Sequence, residues 1–130
     1  MIRINCFFQA NEGQYDAALQ AALALTAASQ KQEGCVSYDV FESGTRSDVF
    51  MFCETWTNDE ALEAHAASEE FKTYVAQLKE LGLPVVAALN IFDEFMQRQE
   101  YLDYPRLSRL LGIPMIPTIC RTGLGLEALF

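Results

Sequence analysis

The chain has little positive charge, a single histidine and no paired cysteines. Its 130 residues carry 9 Lys and Arg against 18 Asp and Glu, a net charge of −9. That balance argues against a nucleic-acid backbone or an anionic membrane as partner, since both need clustered cations. His65 cannot complete a zinc set alone, and Cys6, Cys35, Cys53 and Cys120 form no CxxC pair. No metal site or disulfide framework is therefore expected, and the cysteines read as small buried hydrophobes. The long apolar run, LPVVAALNIF, stops at Asp93, short of the roughly 18 residues of a membrane span. MIRINCFFQANEG lacks a basic stretch followed by an apolar one, so no secretory leader is expected and the cytoplasm is the expected compartment. Neither GxxxxGK followed by Ser or Thr, nor DxxG, occurs. The parts that hold a nucleoside triphosphate are missing.

What the chain does have is apolar content, 51% of residues, enough for a real core. Ile2 to Gln9 alternates and predicts a strand. A helix follows, with Asn11 as cap, Tyr15, Leu19, Ala22 and Leu23 on one face, and Gly34 as the left-handed stop. CVSYDVFES and VFMFCETW predict a hairpin across Gly44 to Asp48. TNDE predicts a capping box, Thr57 to Glu60, opening a helix or helix pair from Asp59 to about Leu81. The order β-α-β-β-α implies an α+β, ferredoxin-like antiparallel sheet with two helices, short of one closing strand after Gly82.

The remainder follows another grammar. LPVVAALNIF reads as a strand buried on both faces. DYPRLSRLLG reads as a short helix with Leu107, Leu110 and Leu111 inward and Gly112 as its stop. IPMIPTI is a further strand, and RTGLGLEALF a glycine turn into a helix. This β-α-β extension has the pattern of a parallel sheet, but it is too small to fold alone. Residues 83–95 are expected to close the front sheet, with Pro84 at its start or edge. The division is then a front domain over 1–82 and an extension over 83–130.

Two resemblances rest on these segments. EGCVSYDVFES followed by VFMFCETWTNDEALEAHAASEEFKTYV resembles the antibiotic biosynthesis monooxygenase superfamily over residues 1–82. The resemblance is carried by Glu33-Gly34-Cys35, Tyr38, Glu54-x-Trp56, Glu60-Ala61-Leu62, His65 and Phe71, in order. It implies a dimeric α/β-barrel type of fold, a homodimer, and oxidation of a quinol-like or polyketide-like aromatic by molecular oxygen, with no cofactor. Other branches degrade haem or isomerise small sugars; a Trp stands near the place of His65 in the haem-degrading branch, which argues against that activity. LKELGLPVVAALNIFDE with LDYPRLSRLLGIPMIPTICRTGLGLEALF resembles the rear of the GTPase domain of ferrous-iron transporter B proteins, over residues 78–130. That resemblance places Asn90 and Asp93 against guanine. Without a phosphate loop the pair is an idle remnant of an incomplete P-loop GTPase fold, and GTP hydrolysis is not expected.

Cofactorless oxygenation needs a dry pocket, hydrogen bonds that hold a substrate anion, and a base. Between sheet and helices, the candidates are Asn5, Tyr38, Glu54, Trp56 and His65, lined by Phe7, Phe52 and Phe71. Two readings stand for His65: a base or donor toward a substrate oxygen, or a structural imidazole tied to Glu54 or a carbonyl. Glu54, if internal, needs a partner such as His65 or Arg3; it would orient His65 or satisfy a charge. Trp56 reads as core or dimer contact ahead of catalyst. The alternative for the whole chain is a non-catalytic ferredoxin-like dimer whose tail fills or disrupts the pocket.

Overall fold

The computed structural model describes residues 1–89, 104–112 and 115–117. Its elements are β1 (Ile2–Ala10), α1 (Tyr15–Ser29), β2 (Cys35–Glu42), β3 (Val49–Trp56), α2 (Asp59–Ala67), α3 (Glu69–Leu81), β4 (Gly82–Leu89), α4 (Tyr104–Leu111) and β5 (Met115–Pro117). The sheet order is β2-β3-β1-β4-β5. β1 runs antiparallel to both β3 and β4, and β5 joins β4 in parallel. The first four strands and the helices α1 to α3 make the α+β, ferredoxin-like frame.

Strand alternation sorts the side chains. On β1, Ile2, Ile4, Cys6, Phe8 and Ala10 are buried. On β3 the buried set is Phe50, Phe52, Glu54 and Trp56, joined by Thr55. The period of two puts the first four on one face, where they meet Ala18, Ala22 and Leu25 of α1, Leu62 of α2, and Phe71 and Leu78 of α3. Phe8 stacks on Phe50 with ring centroids 4.9 Å apart.

The apolar face of α1 differs from the expected one. Ala18, Ala21, Ala22, Leu25, Thr26 and Ser29 are buried, while Leu23 is 44% exposed. Alanines on every side of this helix blur its amphipathic pattern, so close approach to the sheet, favoured by small residues, selects the buried face. Asn11 closes a turn through its carbonyl, which accepts from Gln14 N. The cap position falls to Gln14, with no side-chain cap bond. The helix also ends before Gly34, which lies in the following turn at φ 83°.

The helix pair after β3 is divided by Ser68. Its extended backbone ends α2, and its hydroxyl caps α3 by accepting from Phe71 N at 3.2 Å. The cap of α2 is Asn58, whose Oδ1 accepts from Ala61 N at 2.9 Å. In place of the capping box expected from Thr57 to Glu60, a single Asx cap one residue later satisfies the free amide, and Ala61 at the third position has no polar side chain to complete a box.

Gly34 is a position where a side chain cannot be accommodated and where the backbone is also left-handed. A Cβ there would overlap Ala61 Cβ and lie 3.0 Å from Thr57 Oγ1. Gly34→Ala is expected to cost about 2–4 kcal/mol, combining left-handed backbone strain with overpacking against α2. The midpoint of urea denaturation checks this; an unchanged midpoint would refute the tight seat.

β4 pairs with β1 from Ile4↔Leu89 to Ala10↔Gly82, with a register shift between Phe7 and Phe8. Phe7 faces Val86 and Phe8 faces Pro84, so Pro84 sits at the irregularity, where a missing amide is tolerated. β4 covers the 83–89 part of the expected 83–95 segment; residues 90–95 lie outside the described residues. So do the RTGLGLEALF turn and the pair Asn90 and Asp93. In the tail helix Leu111 is buried and Leu110 is 40% exposed, which corrects the expectation of Leu110 as inward. Leu111 meets the front core at the C-terminal end of α4, and one helical position turns its neighbour outward. Gly112 ends α4 at φ 67°, and Arg106 pairs with Glu63 of α2.

Candidate functional site

The site begins with Tyr38 on β2, which lies opposite Glu54 on β3. β2 carries a register shift between Cys35 and Ser37. Val36 is 53% exposed while Tyr38 is buried, so the bulge breaks the strict alternation and aims Tyr38 inward. Trp56, two residues along β3 and on the same face, donates from Nε1 to Glu54 Oε1 at 3.3 Å. The carboxyl is thereby buried with polar neighbours and, among the described residues, no ion pair.

Burial raises the Glu54 pKa from its ordinary 4.5 to about 7, with the Trp56 indole and Tyr38 phenol pulling it back in part. Glu54 in turn reinforces the effect of burial on its neighbours: the Cys6 thiol and the Tyr38 phenol are both pushed well up. Arg3 plays no part, because alternation places it on the outer face, where its Nε donates to Thr55 Oγ1 at 3.3 Å.

His65 stands on α2 at 1% exposure. Its ring centroid lies 4.6 Å from Trp56, 4.9 Å from Phe71 and 5.6 Å from Tyr38. Nδ1 is 2.7 Å from Gln32 Oε1, and Nε2 is buried with no hydrogen-bond partner among the described residues. Desolvation lowers its pKa from 6.5 to about 4, so the imidazole is neutral near pH 7. The partner is Gln32, in place of the Glu54 or backbone carbonyl expected from the sequence. Gln32 escapes sequence reasoning because it is a loop amide 33 positions away, carrying no motif.

Beside this cluster is a cavity of about 40 Å³, lined among others by Cys6, Tyr38, Phe52, Glu54, Phe71 and Leu111. Phe7 also contributes to the lining. Tyr38, Glu54, Phe52 and Phe71 are thus brought to one space, and His65 and Trp56 stand behind its aromatic wall; Phe7 borders it from a β1 position that alternates to the outer face. Asn5 is not brought there. It alternates with buried Ile4 and Cys6 onto the outer face of β1, and its Oδ1 is buried without a partner. A cavity of this size holds water or a diatomic gas, whereas a drug-sized ligand needs several hundred Å³. Binding an aromatic therefore requires the wall to open. Lys79 and Leu111 stand on its rim.

Among the described residues no group of three or more potential ligands could hold a metal ion. Cys6, Cys35 and Cys53 are free thiols. No described helix is long and apolar enough to cross a membrane.

A four-stranded antiparallel frame with helices on one face and a buried carboxyl beside an aromatic cavity places the chain in the class of small α+β, ferredoxin-like proteins. Residues 1–77 match the antibiotic biosynthesis monooxygenase family, and residues 63–130 match ferrous iron transport protein B. The chain belongs to the antibiotic biosynthesis monooxygenase family, with a ferrous iron transport protein B segment behind it.

Among solved structures, a conserved protein of unknown function from Bacteroides thetaiotaomicron is 51% identical, with a TM-score of 0.62. The match covers 64% of this chain and 88% of that one. An antibiotic biosynthesis monooxygenase, 23% identical, shares the fold at a TM-score of 0.61, over 63% of this chain and 86% of its own. The rear segment is 65% identical over 54 residues to the Fe(2+) transport protein A/Fe(2+) transporter FeoB fusion protein of Porphyromonas gingivalis. It is 43% identical over 53 residues to the Fe(2+) transporter FeoB of Salmonella typhimurium. These matches cover 42% and 41% of this chain but span only 6% and 7% of the transporters' lengths.

Proposed function

We propose that the chain is a cofactor-independent monooxygenase acting on a quinol-like or polyketide-like aromatic, with molecular oxygen as co-substrate. The observation that carries this reading is Glu54: a carboxyl 2% exposed, on the wall of an aromatic cavity, with a pKa near 7. A base poised near the working pH is suited to removing a weakly acidic proton.

On a naphthoquinol, whose keto tautomer carries a methylene beside an aromatic ketone, Glu54 takes one proton and leaves a carbanion. The carbanion reduces oxygen by one electron, and recombination forms a carbon–oxygen bond as a peroxide. Return of the proton gives the hydroperoxide. Loss of the second C–H proton with cleavage of the O–O bond leaves a ketone and releases water. One oxygen atom enters the product and one enters water, so the methylene supplies all four electrons. Tyr38 holds the developing oxyanion, and Phe52 and Phe71 keep water away.

The functional unit in this reading is residues 1–82 with β4 as the closing strand. A homodimer belongs to it as well: Phe41 is 51% exposed and Phe7, Met51 and Cys53 are half-buried on the outer face, apolar surface that a second sheet would cover.

A second reading is favoured by Leu111. This tail residue is 3% exposed and closes one side of the cavity, as a plug would. Oxygen uptake with a reduced naphthoquinol separates the two. Turnover by the unaltered chain supports the enzyme. Uptake that begins only in Leu111→Ala supports a plugged site, and no uptake in either removes the monooxygenase.

A further inference from the structure

The neutral His65 ring has two tautomers, and the hydrogen bonds around it select one. Ser68 is the reference point, because a hydroxyl has one proton and two lone pairs. Its Oγ donates to His65 O at 2.6 Å, which uses the proton. It must therefore accept from its other neighbours, Phe71 N at 3.2 Å and Gln32 Nε2 at 3.1 Å. With its NH₂ committed to Ser68, Gln32 turns Oε1 toward His65 Nδ1 at 2.7 Å. A carbonyl oxygen can only accept, so Nδ1 carries the hydrogen. Nε2 is left as a lone pair, buried and without a partner.

A buried acceptor without a donor costs about 1–3 kcal/mol, and such a group in a native fold calls for a reason, of which a catalytic or binding role is one. The ring neighbours of His65, Tyr38 and Phe71, are themselves walls of the cavity. Of the neighbouring donors among the described residues, Trp56 Nε1 and the Tyr38 hydroxyl are both engaged with Glu54.

We propose that Gln32 and Ser68 are positioning residues that hold His65 as the Nδ1–H tautomer and reserve Nε2 as the acceptor for the hydroxyl of an aromatic substrate. The tautomer stands on the hydrogen bonds alone; the hydroxyl ligand rests on the monooxygenase reading. Opening of the Tyr38–Phe71 wall brings the hydroxyl to Nε2, while Glu54 remains the proton-abstracting group. His65 thus orients the phenol and Glu54 acts on its activated carbon.

The chain has one histidine, so ¹⁵N-labelled imidazole gives an unambiguous spectrum. Multiple-bond ¹⁵N–¹H correlation at pH 7 should show Nδ1–H in the resting protein; an Nε2–H pattern overturns the proposal. In Gln32→Met the acceptor is gone, and the ordinary preference of a free imidazole for Nε2–H should return. Gln32→Glu keeps an acceptor and should restore Nδ1–H; failure of that rescue also overturns it.

Binding is read without turnover, so it does not depend on whether the chain is an oxygenase. Titration with 2-naphthol should shift the Nε2 resonance, and 2-methoxynaphthalene, which has no donor, should not. Equal shifts with both overturn the ligand role. Loss of one hydrogen bond should weaken naphthol binding about fivefold in Gln32→Met, with recovery in Gln32→Glu; unchanged affinity again overturns it. Oxygen uptake that fails while these shifts appear removes the monooxygenase reading and leaves the relay standing.

Discussion

Replacing Glu54 by Gln is expected to slow oxygen uptake on a reduced naphthoquinol by about 10²–10⁴-fold, the usual contribution of a positioned base. Gln keeps the size of the side chain and can still accept from Trp56 Nε1, which in the unaltered chain lies 3.3 Å from Glu54 Oε1. What it loses is the ability to take a proton. KM should change little, because the hydrogen bonds that seat the ring remain. The unaltered chain should gain rate as pH rises through about 7, where Glu54 ionises, and the variant should lose that rise. His65→Ala should cost less rate and more affinity, since His65 is placed as an acceptor. A Glu54→Gln rate within about threefold of the original would move the chemistry away from this carboxyl.

The second large effect is on stability, and it comes from opposite displacements of two buried groups. Glu54 is raised from 4.5 to about 7 and His65 lowered from 6.5 to about 4. Between pH 4.5 and 7 the folded state holds a proton on Glu54 that the unfolded chain has released, so this group lowers stability as pH rises. Between pH 4 and 6.5 the unfolded chain holds a proton on His65 that the folded state refuses, so this group raises stability as pH rises. Each displacement is worth about 3 kcal/mol. Across the shared window the two slopes nearly cancel, so their joint contribution should be flat from about pH 4.5 to 6.5 and fall slightly toward 7. In Glu54→Gln only His65 remains, and the unfolding free energy from urea titration should climb by about 3 kcal/mol between pH 4 and 6.5. In His65→Gln the slope should reverse and run downward from pH 4.5 to 7. Parallel profiles for all three proteins would show that neither group carries the displacement.

Both predictions depend on burial that local pattern only partly announces. Period two in VFMFCETW puts Phe52, Glu54 and Trp56 on one face, but Val49, Met51 and Cys53 make the other face apolar too, so packing against the helices decides which is the core. The same rule, applied across β1, also separates Asn5 from Cys6. Asn5 was a candidate for the pocket because its chemistry suited the site, although the buried alternation of Ile4, Cys6 and Phe8 had already assigned it to the outer face. Tyr38 and Val36 share a face in a regular strand, and only the bulge after Cys35 divides them. A bulge leaves no clear mark in CVSYDV. On α1 the many alanines made several faces equally plausible, so contact with the sheet decided that Leu25 would be buried and Leu23 exposed.

The sequence by itself determined the succession of strands and helices, the family of the front part, the origin of the rear part and the absence of a phosphate-binding loop. These are local or linear properties, set by hydrophobic period, glycine placement and the spacing of motifs. Tertiary structure decided the partners. It gave His65 to Gln32 across 33 positions, gave Glu54 to Trp56 and Tyr38 in place of Arg3, and set Leu111 of the tail against the front cavity. The physical reason is range. A period is written along a few neighbouring residues, whereas the pKa of a buried carboxyl and the tautomer of a buried imidazole depend on whatever distant groups folding brings within about 3 Å.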